Sequence, residues 1–245
     1  MTGRETGDRQ GFLAPARRRL AGGIATNPVH PPPPSPAPGA PVPQPGYRNL
    51  DPDDPVATFA AALAQVDGTC HVVEAGPDGA LPGELVDPIV GELGDRWAVV
   101  SDEPAARAVG RQLSARGVTV HDASVDHAAR AGLGVTGAVA AIAATGSIVL
   151  DSRAAGGRSA SLLPAVHLCV VSVNSLRATP ADVLRGLGSE PDALPPSLVL
   201  VTGPSRTGDI EQLLTLGAHG PTALHVVLVT DGPRRASTSG TRQRA

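Results

Sequence analysis

Residues 198–230, LVLVTGPSRTGDIEQLLTLGAHGPTALHVVLVT, decide the predicted fold. The apolar run at residues 198–202 is typical of a strand that is buried on both faces, and a further strand is predicted at residues 224–230. Between them, residues 209–216 have the polar start and the length of a short helix. A strand, a helix and a strand in this order predict a βαβ crossover, which joins two parallel strands.

The preceding part of the chain shows the same alternation of helical and strand-like segments. Helices are predicted at residues 55–63, 84–93, 103–116 and from residue 180, and strands at residues 70–74, 97–101, 118–120 and 165–173. Alternation at residues 139–143, a turn, and the run 147–150 predict a hairpin. We therefore predict an α/β fold, with a largely parallel sheet, helices on both faces and a hairpin insertion, in one domain at residues 51–231.

Residues 1–47 form a separate compositional zone. Prolines recur from Pro28 to Pro45 and prevent both helix and sheet, so we expect a disordered arm that serves as an extended spacer. A docking motif for a proline-binding partner is the alternative. The tail at residues 232–245 is also expected to be disordered.

The composition excludes several function classes. A net charge of -3 and an aromatic content of 2% argue against nucleic-acid binding. All 20 basic residues are arginine, which excludes a lysine Schiff base and the lysine of a phosphate-binding P-loop.

The cysteines and histidines point to a chain without a metal or cluster of its own. Cys70 and Cys169 are the two cysteines, and neither belongs to a Cys-x-x-Cys motif, so the chain cannot by itself ligate an iron–sulfur cluster or a structural zinc. The histidine spacings match no metal motif. Free thiols in apolar runs, with neither a secretory signal nor a membrane span, favour the cytoplasm.

The loop after the strand at residues 198–202 is the first candidate binding site. Two glycines allow a tight turn, hydroxyls and a guanidinium suit an anion, and a helix N-terminus is expected to follow. The candidate ligand contacts here are Gly203, Pro204, Ser205, Arg206, Thr207, Asp209, Glu211 and, beyond the helix, His219. The alternative is a helix-capping loop in which Arg206 pairs with a neighbouring acid.

The predicted hairpin turn is the second candidate. Thr145 and Ser147 flank Gly146, and their hydroxyls could hydrogen-bond a ligand, although the same residues are ordinary in a hairpin turn. The glycine-rich segment at residues 154–161 is either a lid or a surface connection.

Three segments resemble a known family in the same order along the chain. Residues 201–211, continued by 216–221 and 224–228, resemble the C-terminal signature of the lactate-utilization (LUD) family, and residues 145–150 and 162–167 resemble its two other recurrent segments. The resemblance covers about residues 95–230. The family pattern has an acidic residue before the Thr-Gly pair, where this chain has Ala144.

The resemblance implies a fold similar to the sugar-phosphate isomerase and CoA-transferase group. It also implies a cluster-free component of an L-lactate utilization system, in which L-lactate is oxidised to pyruvate beside iron–sulfur partner proteins. We expect a small anionic ligand at the strand-end loops and no cofactor on this chain, and the resemblance assigns no catalytic residue.

Two other functions remain open at this point. The first is a stand-alone enzyme acting on a phosphorylated or CoA-linked metabolite, which the absence of lysine disfavours. The second is a non-catalytic regulatory or scaffold protein, which the proline-rich arm favours.

Overall fold

The computed structural model describes residues 50–94, 96–153, 158–188, 195–208, 214–216 and 219–230. The predicted arm at residues 1–47 and the tail at residues 232–245 lie outside this part of the chain. The helices are α1 (Pro55–Ala64), α2 (Gly83–Glu92), α3 (Pro104–Ser114), α4 (Val125–Ala128), α5 (Ser159–Leu162) and α6 (Pro180–Gly188). Two 3-10 turns lie at Pro77–Gly79 and Val173–Ser175.

Six parallel strands form the central sheet. They are β1 (Thr69–Glu74), β2 (Trp97–Val100), β3 (Thr119–Asp122), β4 (Leu133–Gly137), β7 (Val166–Ser172) and β12 (Ala223–Thr230). Their order across the sheet is β1-β12-β7-β4-β2-β3, and every neighbouring pair is parallel. The prediction of an α/β fold with a largely parallel sheet is confirmed.

A second sheet contains the predicted hairpin. Its strands are β5 (Ala140–Ile142), β6 (Ser147–Asp151), β8 (Leu176–Arg177) and β9 (Leu198–Val201), in the order β8-β5-β6-β9. Strands β5 and β6 pair antiparallel, as the alternation at residues 139–143 predicts. The predicted hairpin insertion is confirmed: it lies between β4 and β7 along the chain and belongs to the second sheet.

The two faces of the central sheet pack against different layers. On one face, Leu85 of α2 and Leu113 of α3 pack with Leu168 of β7 in one buried cluster. On the other face, Leu63 of α1 and Ile148 of β6 belong to a second buried cluster, together with alternate residues of β7 and β12. Because side chains of a strand alternate between faces, β7 and β12 are buried on both sides and contribute to both clusters.

Helix α1 begins as its sequence indicates. Asp54 caps the helix by accepting a hydrogen bond from the Ala57 backbone N–H at 2.9 Å, and Pro55 occupies the first helical position. The buried side chains Phe59 and Leu63, four residues apart, lie on one face of the helix and anchor it to the sheets.

The predicted βαβ crossover at residues 198–230 is wrong. Strand β9 pairs antiparallel with β6 in the second sheet, and Leu200 is 50% exposed, so β9 is not buried on both faces. Residues 214–216, predicted as the end of a helix, form strand β11 (Leu214–Leu216), which pairs antiparallel with β10 (Arg206–Gly208). An apolar run indicates a strand but does not determine which strand it pairs with. Here β9 pairs with β6, the edge strand of the hairpin.

The two thiols lie in the same row of the central sheet but not on adjacent strands. Cys70 of β1 and Cys169 of β7 both pair with Val226 of β12, so two strand spacings, about 10 Å, separate them. A disulfide requires α-carbons within about 7 Å, so these residues cannot form one.

We expect neither thiol to react rapidly in the folded protein. Burial raises the pKa of Cys169 to about 12 and that of Cys70 to about 11, and the thiolate is the reactive form. Ellman's reagent should therefore titrate the thiols only after denaturant is added. Rapid release of thionitrobenzoate from the folded chain would contradict this burial.

Candidate functional site

The two predicted binding segments lie side by side. Strands β6 and β9 pair antiparallel with Ile148 opposite Val201, which places Ser147 next to Thr202. The Ser147 hydroxyl lies 2.7 Å from the Thr145 hydroxyl and 2.6 Å from the Thr202 hydroxyl. We call Thr145, Ser147 and Thr202 the hydroxyl cluster. Thr202 was predicted as a strand end and not as a site residue, because only the register of β9 on β6 brings it there.

The hydroxyl cluster has a spare hydrogen-bond donor. Each hydroxyl carries one proton, and the two hydrogen bonds within the cluster use two of the three. Ser147 is buried at the centre, whereas Thr202 is exposed, so the remaining O–H can be donated outward to an acceptor such as a carboxylate oxygen. The cluster can therefore donate one hydrogen bond to an anion, and none of its three side chains is a base that would activate a hydroxyl.

The glycines of both segments are required by packing against α1. Gly146 has φ +62°, and a Cβ there would lie 2.3 Å from the Leu63 backbone nitrogen. Gly203 has φ +82°, and its Cβ would lie 2.6 Å from the Val66 carbonyl oxygen, just beyond the same helix. Both positions thus combine a left-handed backbone with a close approach to other backbone atoms. The close packing of these glycines against α1 positions the hydroxyl cluster.

Arg206 pairs with an acid from the turn after α1. Its guanidinium forms a salt bridge with the Asp67 carboxylate. Pairing of Arg206 with a neighbouring acid is one of the two alternatives predicted from the sequence. The Asp67 side chain is 70% exposed and that of Arg206 is 32% exposed. This is a surface ion pair at the edge of the hydroxyl cluster's loop.

We expect Arg206→Ala to leave the fold intact. Exposed ion pairs contribute about 0 to 1 kcal/mol, so the free energy of unfolding should fall by less than about 1 kcal/mol. Arg185→Ala is the matched control, since Arg185 pairs with Asp182 on the surface of α6 at 2.6 Å. Urea denaturation of both variants measures the difference, and a loss of several kcal/mol at Arg206 alone would contradict a surface role.

The remaining predicted residues of this loop are placed as follows. Pro204 is buried, and the Ser205 backbone N–H donates to the Pro221 carbonyl at 2.8 Å, which joins the loop to the segment before β12. His219 is exposed in that segment. Thr207 lies in β10, and Asp209 and Glu211 lie outside the described residues.

The predicted helix start at Asp209 lies outside the described residues. Residues 206–208, which follow the turn, form strand β10 and not the start of a helix, because they pair with β11. The loop therefore lacks, in the part that the structure describes, the free N–H groups and dipole of a helix end. Within the described part of this loop, the Arg206 guanidinium supplies the positive charge.

His167 is a buried histidine in the central sheet. It is fully buried, and its Nε2 lies 2.8 Å from the Thr136 hydroxyl of the adjacent strand. Burial lowers the pKa of His167 to about 4, so the ring is uncharged at neutral pH. Its Nδ1 is buried with no hydrogen-bond partner among the described residues.

No group of three or more His, Cys, Asp or Glu side chains within the described ranges is placed to hold a metal ion. Within the same ranges, no helix has both the length and the hydrophobicity needed to cross a membrane.

The central parallel sheet, its helices and the strand-end hydroxyl cluster define an α/β protein with a candidate anion site outside the main sheet. The family model of the LUD domain matches residues 107–229, half of the chain. The chain belongs to the LUD domain family.

Several curated relatives carry one name. The chain is 34% identical over 113 residues to lactate utilization protein C of Bacillus licheniformis, which covers 45% of this chain and 47% of the relative. It is 35% identical over 111 residues to lactate utilization protein C of Bacillus subtilis, covering 44% and 46%. The match thus spans about half the length of these curated relatives.

A solved structure has the same fold. The crystal structure of a DUF162 family protein from Deinococcus radiodurans aligns with a TM-score of 0.54 and 24% sequence identity. The alignment covers 74% of this chain and 99% of that one.

Proposed function

We propose that this chain is the cluster-free component of an L-lactate utilization system, in which L-lactate is oxidised to pyruvate and iron–sulfur partner proteins carry the electrons. The observation that carries the proposal is the identity of 34% to 35% with proteins named lactate utilization protein C. A cytoplasmic location fits this role.

The thiol geometry supports the assignment of the clusters to partner proteins. An iron–sulfur cluster requires about four thiolates, and this chain has two cysteines, on strands that are not adjacent. Both thiols are held protonated by burial. Iron–sulfur clusters of the proposed system would therefore be held by other chains.

We propose the hydroxyl cluster and Arg206 as the site of a small anionic ligand. The spare O–H of the cluster would donate to one carboxylate oxygen, and the Arg206 guanidinium would bind the charge. Arg206 would exchange Asp67 for the ligand, which costs little because the ion pair is exposed. L-lactate carries both a carboxylate and a hydroxyl, and so matches these donors.

Deletion and complementation test the role. In the organism that carries the gene, its deletion should abolish growth on L-lactate and leave growth on pyruvate unchanged. The full-length chain should restore growth on L-lactate. Normal growth of the deletion strain on L-lactate, with unchanged lactate oxidation in extracts, would show that the proposed role is wrong.

Complementation with variants tests the site separately. Ser147→Ala removes the centre of the hydroxyl cluster, and Arg206→Ala removes the proposed anion contact, so both should restore growth poorly while Arg185→Ala restores it fully. If the deletion strain fails on L-lactate but Ser147→Ala and Arg206→Ala complement like the unmodified chain, the role stands and the ligand site is wrong.

A further inference from the structure

A cleft of about 790 Å³ opens at the carboxyl ends of β2 and β3. These strands are joined by α3 and form a parallel βαβ unit. Ligands of open α/β sheets bind outside the carboxyl ends of parallel strands, and pockets of about 300 to 1,000 Å³ hold small molecules and cofactors. The cleft lies on different strands from the hydroxyl cluster.

One wall of the cleft presents two guanidinium groups. Arg107 and Arg111 are four residues apart on α3 and so project from the same side of the helix. Arg107 pairs with the exposed Asp102 at 2.8 Å, and Arg111 donates to the Asp78 carbonyl at 3.3 Å. Each guanidinium has five N–H donors, so both keep donors for a phosphate.

The opposite wall ends in a carboxylate. Asp122 is the last residue of β3, and its Oδ1 accepts from the Ser124 backbone N–H at 3.2 Å and lies 2.8 Å from His127 Nδ1. These hydrogen bonds, His127 first, lower the pKa of Asp122 to about 2, so it is an ionised acceptor at neutral pH. In dinucleotide-binding βαβ units, an acidic residue about 20 positions after the first turn accepts the ribose hydroxyls, and Asp122 stands at that distance from Ser101.

The floor between these walls is apolar. Val100, Gly110 and Val120 line it, and Gly110 brings α3 close enough that a Cβ would lie 3.2 Å from Val100 and 3.6 Å from Val120. A flat apolar group such as a nucleobase can cover this surface.

The N-terminus of α3 is an unfavourable position for a phosphate. Glu103 precedes the helix, and its carboxylate accepts a hydrogen bond from the buried Ser101 hydroxyl. An anion there would meet a negative charge, and residues 101–104 contain no glycine to cradle a pyrophosphate. The arginine wall is therefore the place for a single phosphate group.

We propose that this cleft binds a ribonucleoside monophosphate, with the phosphate on Arg107 and Arg111, the ribose hydroxyls on Asp122 and the base on the apolar floor. The proposal does not depend on the lactate role.

Calorimetric titration of the full-length chain with AMP, 2′-deoxy-AMP, adenosine and inorganic phosphate tests the proposal. AMP should bind more tightly than each of the other three, because each lacks at least one of the proposed contacts. Fluorescence of Trp97, the sole tryptophan, provides a second readout, since its ring meets that of the cleft residue His121 edge to face at 4.6 Å.

Single substitutions test which residue contacts the phosphate and which contacts the ribose. Arg111→Ala should weaken AMP binding about tenfold or more, because hydrogen bonds to charged groups are strong, and should leave adenosine binding unchanged. Asp122→Asn should reduce the preference for AMP over 2′-deoxy-AMP, and Arg185→Ala, remote from the cleft, should bind like the unmodified chain. The proposal is overturned if AMP shows no binding at about 1 mM, if phosphate or adenosine binds as well as AMP, or if Arg111→Ala binds AMP normally.

Discussion

Gly146→Ala is expected to lower the free energy of unfolding by about 2 to 5 kcal/mol. The left-handed backbone at Gly146 costs an L-residue about 1 to 2 kcal/mol, and overpacking adds about 1 to 3 kcal/mol. The added methyl group would meet the backbone of Leu63 in α1, which cannot move aside like a flexible side chain. Urea denaturation followed by circular dichroism measures the loss.

Gly91→Ala is the matched control for this substitution. Gly91 lies near the end of α2, is exposed, and a Cβ there has nothing within 4 Å. Alanine is the better helix former by about 1 kcal/mol, so this variant should be as stable as the unmodified chain or more so. If both variants have the same stability, Gly146 is not held against α1, and its place in the Thr-Gly-Ser turn needs a ligand-based explanation.

Acid is expected to destabilise the protein in the range between pH 6.5 and about 4, mainly through His167. Its pKa is about 4 in the folded protein and near 6.5 when unfolded, so the unfolded chain binds more protons in this range. The contribution of His167 to stability is therefore complete above about pH 6.5, falls as the pH decreases, and levels off below about pH 4. A shift of this size corresponds to about 3 kcal/mol.

His167→Gln separates this contribution from the others. Glutamine does not titrate and can still hydrogen-bond the Thr136 hydroxyl, so most of the pH dependence should disappear. Burial also lowers the pKa values of His71 and His225, which leaves a smaller dependence of the same sign. Denaturation curves at several pH values, with His219→Gln as an exposed control, measure it. A variant at position 167 that keeps the full pH dependence would contradict this assignment.

The elements that the sequence predicted well are those with strong periodic or continuous burial. Helix α3 follows from its apolar spacing and its proline start, and β7 from an apolar run that contributes to both core clusters. Strand β9 has an equally apolar sequence, but it pairs with β6. The two paired segments are about 50 positions apart, and neither sequence alone indicates its partner.

The candidate site was predicted only in part, because strand pairing also decides which side chains meet there. Thr145 and Ser147 were found from their turn, whereas Thr202 enters the hydroxyl cluster only through the register of β9. Arg111 and Asp122 individually resemble ordinary solvated charges, and only the parallel pairing of β2 with β3 brings both to one cleft.

The position of β12 in the central sheet determines when that sheet can be completed during synthesis. This strand lies between β1 and β7 in the sheet, yet it is the last described strand to leave the ribosome. During synthesis β1 has no neighbour in the sheet until about 150 further residues have been added, and its backbone N–H and C=O groups stay open to other chains. Assembly of the central sheet is therefore completed only after β12 has been synthesised, and until then the open edge of β1 can pair with other chains and promote aggregation.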